Sequence, residues 1–113
     1  MWVVKIDHEQ CDFYQPKFVA AFRTEIELNQ FFLNPELLVK AGIISKSYDS
    51  DVYYTIDPIS YADLIIEQWD GVERLKSAKT EMIEIRNQME DDDNWSYEVT
   101  IDEFSKLINR NYQ

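Results

Sequence analysis

The sequence predicts an α+β fold: a small antiparallel sheet of about four strands, including a hairpin at residues 43–57, covered by helices, one of them long and extending over about residues 58–90. Alternating apolar and polar residues at positions 2–6 are typical of a strand with one buried face. A similar alternation on both sides of the turn at residues 49–51 predicts the hairpin. Apolar residues that recur every three or four positions over residues 61–89 predict the long helix.

The shorter helices are predicted from their capping residues. In a capping box, a hydroxyl residue and a glutamate three positions later each accept a hydrogen bond from a backbone N–H of the other. This spacing occurs at Thr24 and Glu27 and again at Thr100 and Glu103, so we expect a helix to follow each pair. A further helix is expected over residues 35–41, between an asparagine–proline start and a glycine end.

Three other segments complete the expected order of elements. Residues 18–22 are compatible with a short strand or with the start of a helix. Alternation over residues 95–101 predicts another strand. The Asp70-Gly71 pair lies inside the predicted long helix and is expected to bend or break it, since glycine destabilises a helix interior by about 1 kcal/mol relative to alanine.

Composition limits the class of protein. With 113 residues, 45% of them hydrophobic, we expect one folded domain over residues 1–113. No apolar run is long enough to cross a membrane, and no secretory signal is recognised. Cys11 is the single cysteine and cannot form an internal disulfide, so a cytoplasmic location is expected. Because His8 and Cys11 lack further ligands or an orienting group, we predict no metal, no cofactor and no enzymatic activity.

The acidic residues are concentrated in two stretches. The net charge is −11, and 14 of the 22 acids lie between Lys46 and Arg74 or between Arg86 and Lys106, where no basic residue occurs. Such a field repels nucleic acid and anionic membranes and accelerates the encounter with a basic protein surface. We therefore expect a basic protein partner, with no direct binding to nucleic acid or membrane.

One acidic segment resembles the calcium-binding loop of EF-hand proteins. The resemblance rests on oxygen-bearing, apolar and terminal acidic residues at the spacing of that loop, at Asp92, Asn94, Ser96, Val99 and Glu103. The loop needs a glycine where Tyr97 stands, because the chain must turn there with a positive φ. We therefore favour a solvated acidic loop, a strand and a capped helix over this segment, with weak cation binding left open.

Residues 24–57 resemble part of a winged helix: a helix, a tight turn, a second helix and a two-stranded wing. In regulators of that type a long helix often follows and forms a dimer, which the predicted helix at 58–90 matches. The sequence departs from the family at the surfaces that would contact DNA, because the second helix has Lys40 as its one cation and the wing tip carries Asp49 and Asp51. The resemblance therefore implies a regulator that does not bind DNA directly.

The favoured function is a non-enzymatic inhibitor or immunity-type protein, monomeric or homodimeric, that blocks a basic, nucleic-acid-processing partner by charge mimicry. Immunity, antirestriction-type and phage-encoded inhibitors of this size and charge supply the analogy. Aromatic residues next to the acids would serve as interface anchors. The predicted partner-binding residues are Asp49, Asp51, Tyr53, Glu90, Asp91, Asp92, Asp93, Trp95 and Tyr97. Whether the two acidic stretches share one face is left open.

Overall fold

The structure is a computed structural model that describes residues 1–8, 17–47, 51–56, 62–81, 97–108, 110 and 112. The strands are β1 (Trp2–His8), β2 (Lys17–Phe22), β3 (Ser45–Lys46), β4 (Tyr54–Ile56), β5 (Ala62–Asp70), β6 (Glu73–Glu81) and β7 (Tyr97–Val99). The helices are α1 (Glu25–Phe32), α2 (Pro35–Lys40) and α3 (Ile101–Leu107). All strand pairs are antiparallel, in a four-stranded sheet of order β2-β1-β5-β6 and a three-stranded sheet of order β3-β4-β7.

The predicted fold class is wrong in its main feature, the long helix at about 58–90 that should cover the sheet. Strands β5 and β6 occupy residues 62–81 instead and form a hairpin. Asp70 pairs with Glu73, and Gly71 has a φ of 65°, which suits the first central position of a two-residue hairpin turn. The rest of the predicted helix lies outside the described residues. The described chain is thus mostly β, with two antiparallel sheets and three short helices.

The ambiguous spacing of apolar residues explains this error. Leu64 and Ile66 are two positions apart and both bury their side chains in the core, whereas Glu67 and Trp69 point to the opposite face of the sheet. The long series of residues three or four apart is therefore compatible with two strands interrupted by a turn. The Asp-Gly pair, which we interpreted as a helix bend, marks that turn.

The predictions for the short helices are confirmed. The Thr24 hydroxyl accepts a hydrogen bond from the Glu27 backbone N–H at 3.2 Å, and α1 follows. The Asn34 side chain caps α2 in the same way, and Gly42 has the positive φ expected after its end. None of the helices in the described ranges is long and apolar enough to cross a membrane.

The hairpin at 43–57 is confirmed in its described part, since β3 and β4 pair antiparallel. Strand β4 also pairs with β7, the described part of the strand predicted over residues 95–101. The ambiguous segment at 18–22 is a strand, β2. The first strand is confirmed as well, but the prediction of one buried face is wrong for its beginning, since Val3 is buried along with Trp2 and Val4.

Side chains from both sheets and from all three helices form one hydrophobic core. The four-stranded sheet contributes Val4, Leu64 and Ile66, and the three-stranded sheet contributes Ile56 and Val99. The helices add five large side chains, none more than 4% exposed: Leu28, Phe31, Phe32, Leu38 and Phe104. The two sheets and their helices therefore bury their apolar faces against each other.

Candidate functional site

The three-stranded sheet brings the two acidic stretches together. Strand β4 belongs to the first stretch and β7 to the second, and Thr55 pairs with Glu98 across them. The Ser47 hydroxyl donates a hydrogen bond of 2.9 Å to Oε1 of Glu98, which ties the chain after β3 to β7. We call this sheet with the residues that immediately flank it, residues 51–53 and 100–103, the acidic sheet.

The predicted partner-binding residues fall into two groups. Asp51 and Tyr53 are exposed and directly precede β4, so they belong to the acidic sheet. Tyr97 begins β7 opposite Ile56, which fixes its backbone position. The others lie outside the described residues: Asp49, Glu90, Asp91, Asp92, Asp93 and Trp95. The structure thus brings Asp51, Tyr53 and Tyr97 to one sheet and leaves the placement of the rest untested.

Three further acids of the acidic sheet were not among the predicted site residues. Glu98 lies on β7, and Asp102 and Glu103 lie in the first turn of α3. Sequence analysis placed Glu103 in a capping box, which is present: its Oε1 accepts hydrogen bonds from the Thr100 N–H at 3.2 Å and from the Thr100 hydroxyl at 2.9 Å. In the EF-hand comparison Glu103 would be the bidentate calcium ligand, whereas here its carboxylate caps α3.

Most of the net charge belongs to residues outside the described ranges. Nine of the 22 acids and one of the 11 basic residues lie there, against 13 acids and ten basic residues within the described ranges. The described residues therefore carry only a small part of the net charge, and the acidic excess belongs mainly to residues outside these ranges. Within the described ranges, no group of three or more histidine, cysteine, aspartate or glutamate residues could hold a metal ion.

Sequence reasoning missed a second cluster of charges, on the outer face of the four-stranded sheet. Glu67 of β5 is only 5% exposed and contacts Lys5 of β1 at 2.7 Å and Arg74 of β6 at 3.3 Å. The indole N–H of Trp69 donates a hydrogen bond of 3.2 Å to the same carboxylate, and the Lys5 ammonium lies 5.3 Å from the centre of the Trp69 ring. We call these four residues the Glu67 cluster. No local sequence pattern identifies it, because the strand pairing brings its members together.

The Glu67 cluster holds its carboxylate in the ionised form. Burial alone raises the pKa of Glu67, but hydrogen bonds from Lys5 and Trp69, the positive charge of Lys5 and the contact with Arg74 outweigh burial, so the pKa lies below its ordinary value of 4.5. A carboxylate with a lowered pKa is a weak base. The arrangement therefore stabilises the pairing of three strands better than it would serve acid–base catalysis.

The structure also bears on the other sequence hypotheses. His8 ends β1, and Cys11 lies outside the described residues. The winged-helix resemblance included a dimer formed through the long helix, and β5 and β6 replace that helix over residues 62–81. Over these residues, the helix through which that dimer would form is absent.

Comparisons with protein-family models, with curated proteins and with solved structures find no match for this chain.

Proposed function

We propose that this chain is a non-enzymatic binding module that recognises a basic protein surface through the acidic sheet, and that it blocks a nucleic-acid-processing partner by charge mimicry. The observation that carries the proposal is the pairing of β4 with β7, because Glu98 of the second acidic stretch lies on β7 and Asp51 of the first stretch lies three residues before β4. A cytoplasmic location and either a monomeric or a homodimeric state are part of the same proposal.

The register of the pair favours one particular end of the acidic sheet. Tyr54 begins β4 opposite Val99, where β7 ends. Asp51 precedes Tyr54 by three positions and Asp102 follows Val99 by three positions, so both acids leave the sheet at the same end. Acids at the same end of a sheet can be reached by the arginine and lysine side chains of one partner surface.

Exposed apolar side chains lie next to these acids. Val52 is 62% exposed and Tyr53 is 42% exposed. Interfaces that bind tightly combine a few apolar or aromatic anchors with charged residues around them, because the anchors supply affinity and the charges supply association rate and selectivity. Residues 51–53 together with Asp102 contain both components.

Two features support binding over catalysis. The one carboxylate that the described ranges show buried, Glu67, is ionised and engaged by its neighbours in the cluster, so it is poorly suited to take a proton. The acids of the acidic sheet are exposed to solvent, where the basic side chains of a partner protein can reach them. Direct binding to nucleic acid is disfavoured by the net charge of −11.

The test uses two variants with the same change in net charge at different places. The site variant carries Asp51→Lys and Asp102→Lys, and the control variant carries Asp70→Lys and Glu73→Lys at the tip of the β5–β6 hairpin. Each protein is used to capture the partner from a host lysate at low salt. The affinity of the recovered partner for each variant is then measured at low and moderate salt. Glu98 and Glu103 are left unchanged because both make hydrogen bonds within the fold.

We expect a basic partner that is released as salt rises, with affinity at least about tenfold lower for the site variant and nearly unchanged for the control variant. Equal weakening of both variants would assign the effect to net charge and contradict a specific site. Unchanged binding by the site variant would exclude these acids from the interface, and recovery of no partner would contradict the proposed function.

A further inference from the structure

A small cleft lies between the C-terminal parts of α1 and α3, and no residue of the acidic sheet or of the Glu67 cluster lines it. Its volume is about 150 Å³. Three polar and three apolar residues line it: Asn29, Ser105, Arg110, Phe32, Leu33 and Ile108. An engineered protein cavity of this size admits a molecule as large as benzene, so the cleft has room for a ligand of several non-hydrogen atoms.

Arg110 gives the cleft its chemistry. Its Nη1 atom is buried, and no hydrogen-bond acceptor for it is found in the described part of the chain. The nearest carboxylate oxygen, Oε1 of Glu25, is 4.0 Å away, which is within ion-pair range and beyond hydrogen-bond distance. Buried donors in proteins nearly always have an acceptor, and a guanidinium binds carboxylates with particularly suitable geometry.

We propose that this cleft binds a small organic acid, a carboxylate on a short apolar stem. Arg110 is the charged residue in its lining and would receive the carboxylate, with the Asn29 amide and the Ser105 hydroxyl as neighbouring polar groups. Phe32, Leu33 and Ile108 provide apolar surface for the stem. The volume suits a chain of a few carbons. This inference is independent of the proposed function.

Glu25 sets the expected affinity. Its side chain is 53% exposed, so it can turn into solvent when a ligand carboxylate makes a shorter contact with Arg110. Until it does so, it competes for the same guanidinium, and the C-terminal ends of α1 and α3 also carry partial negative charge. We therefore expect weak binding, with a Kd of roughly 1–10 mM for a simple acid, and tighter binding when the Glu25 charge is removed.

The experiment is a titration of the full chain with sodium butyrate, followed by two-dimensional NMR at the backbone amides of Asn29, Ser105 and Arg110. Butyramide, which has nearly the same shape without the charge, is the ligand control. The protein variants are Glu25→Gln, Arg110→Gln, and Ser105→Leu, which fills the cleft and keeps Arg110. Their folding is compared with that of the wild type by circular dichroism.

We expect saturable chemical-shift changes with butyrate and at least about tenfold weaker binding of butyramide. In Glu25→Gln, the affinity for butyrate should rise severalfold. Binding should be lost in Ser105→Leu and weakened at least about tenfold in Arg110→Gln. If Arg110→Gln does not fold, the loss of butyrate binding in Ser105→Leu tests whether the ligand occupies the cleft. No saturation with butyrate, or equal binding of butyramide, would overturn the proposal. Tighter binding of a capped glutamate than of butyrate would overturn the assignment to a free acid.

Discussion

Replacing Glu67 with glutamine tests whether the Glu67 cluster stabilises the four-stranded sheet through its charge. The substitution keeps the size of the side chain and leaves an oxygen to accept the hydrogen bond from the Trp69 indole. It removes the negative charge that Lys5 and Arg74 contact at 2.7 and 3.3 Å. The expected result is a clear loss of stability at neutral pH.

The magnitude follows from the exposure of the two cations. A hydrogen bond to a charged group contributes about 1.5–3 kcal/mol when it is shielded from water. The Lys5 side chain is 24% exposed and contributes most of this, whereas the Arg74 side chain is 53% exposed and adds little because water screens the pair. We expect the free energy of unfolding to fall by about 2 kcal/mol at pH 7, or Tm by about 8 °C for a chain of this size.

The pH dependence distinguishes a charge effect from a packing effect. The pKa of Glu67 is lower in the folded chain than its ordinary value of 4.5, so the folded state favours the ionised carboxylate. Its contribution to stability is therefore fully present above pH 4.5 and is lost as the pH falls through the lower folded value. Glutamine does not titrate. The difference between wild type and Glu67→Gln should shrink as the pH falls below 4.5.

Urea denaturation followed by circular dichroism, at pH 7 and at several values down to pH 3, measures this difference. The matched control is Glu73→Gln, an exposed acid of the same hairpin opposite Asp70, which should change stability by less than about 0.5 kcal/mol. Equal stability of wild type and Glu67→Gln at pH 7, or a difference that stays constant down to pH 3, would refute the reasoning.

Substitutions at three other positions test the fold by the same denaturation assay at pH 7. Gly71→Ala should destabilise by about 1–2 kcal/mol because Gly71 has a φ of 65°, and Gly71→Asn should cost less, since open space surrounds the position and the penalty is conformational. Equal losses of stability in Gly71→Ala and Gly71→Asn would contradict this conformational explanation. Thr100→Ala removes a capping box and should cost about 1 kcal/mol, whereas Thr100→Ser, which keeps the hydroxyl, should cost less than half of that. Phe104→Ala should cost about 3–5 kcal/mol because Phe104 is fully buried in the core, and a loss below 1 kcal/mol would exclude it from the core.

Local signals predicted the parts of the fold that are locally determined. The caps at Thr24, Asn34 and Thr100 each satisfy backbone N–H groups within three residues, so the sequence next to each helix start is sufficient to recognise it. The β3–β4 hairpin was predicted for a similar reason, because alternation on both sides of a polar turn is a short-range pattern. These elements form in the structure where the sequence placed them.

The β5–β6 hairpin was missed because the periodicity of its apolar residues was interpreted without regard to the turn. Leu64 and Ile66 carry the alternation, but Ile65 between them is also apolar and hides it. An Asp-Gly pair between two apolar runs is a strong hairpin signal, and giving it more weight than the helical spacing would have found the turn at Gly71. The Glu67 cluster could not be found in this way, since Lys5 and Glu67 meet only after β1 pairs with β5.

The structure separates the acids that the fold uses from those that are available for binding. Glu67 accepts a hydrogen bond from Arg74 of the next strand, Glu98 accepts one that ties β7 to the chain after β3, and Glu103 caps α3. In the described part of the chain, no hydrogen bond or ion pair involves the side chain of Asp51. Charge reversal at Glu67 should therefore disrupt the sheet, whereas reversal at Asp51 should leave stability nearly unchanged. The site variant also changes Asp102 in the first turn of α3, where a positive charge is unfavourable, so its free energy of unfolding is measured beside its binding. A loss of partner binding with the fold intact then reports on recognition by the acidic sheet.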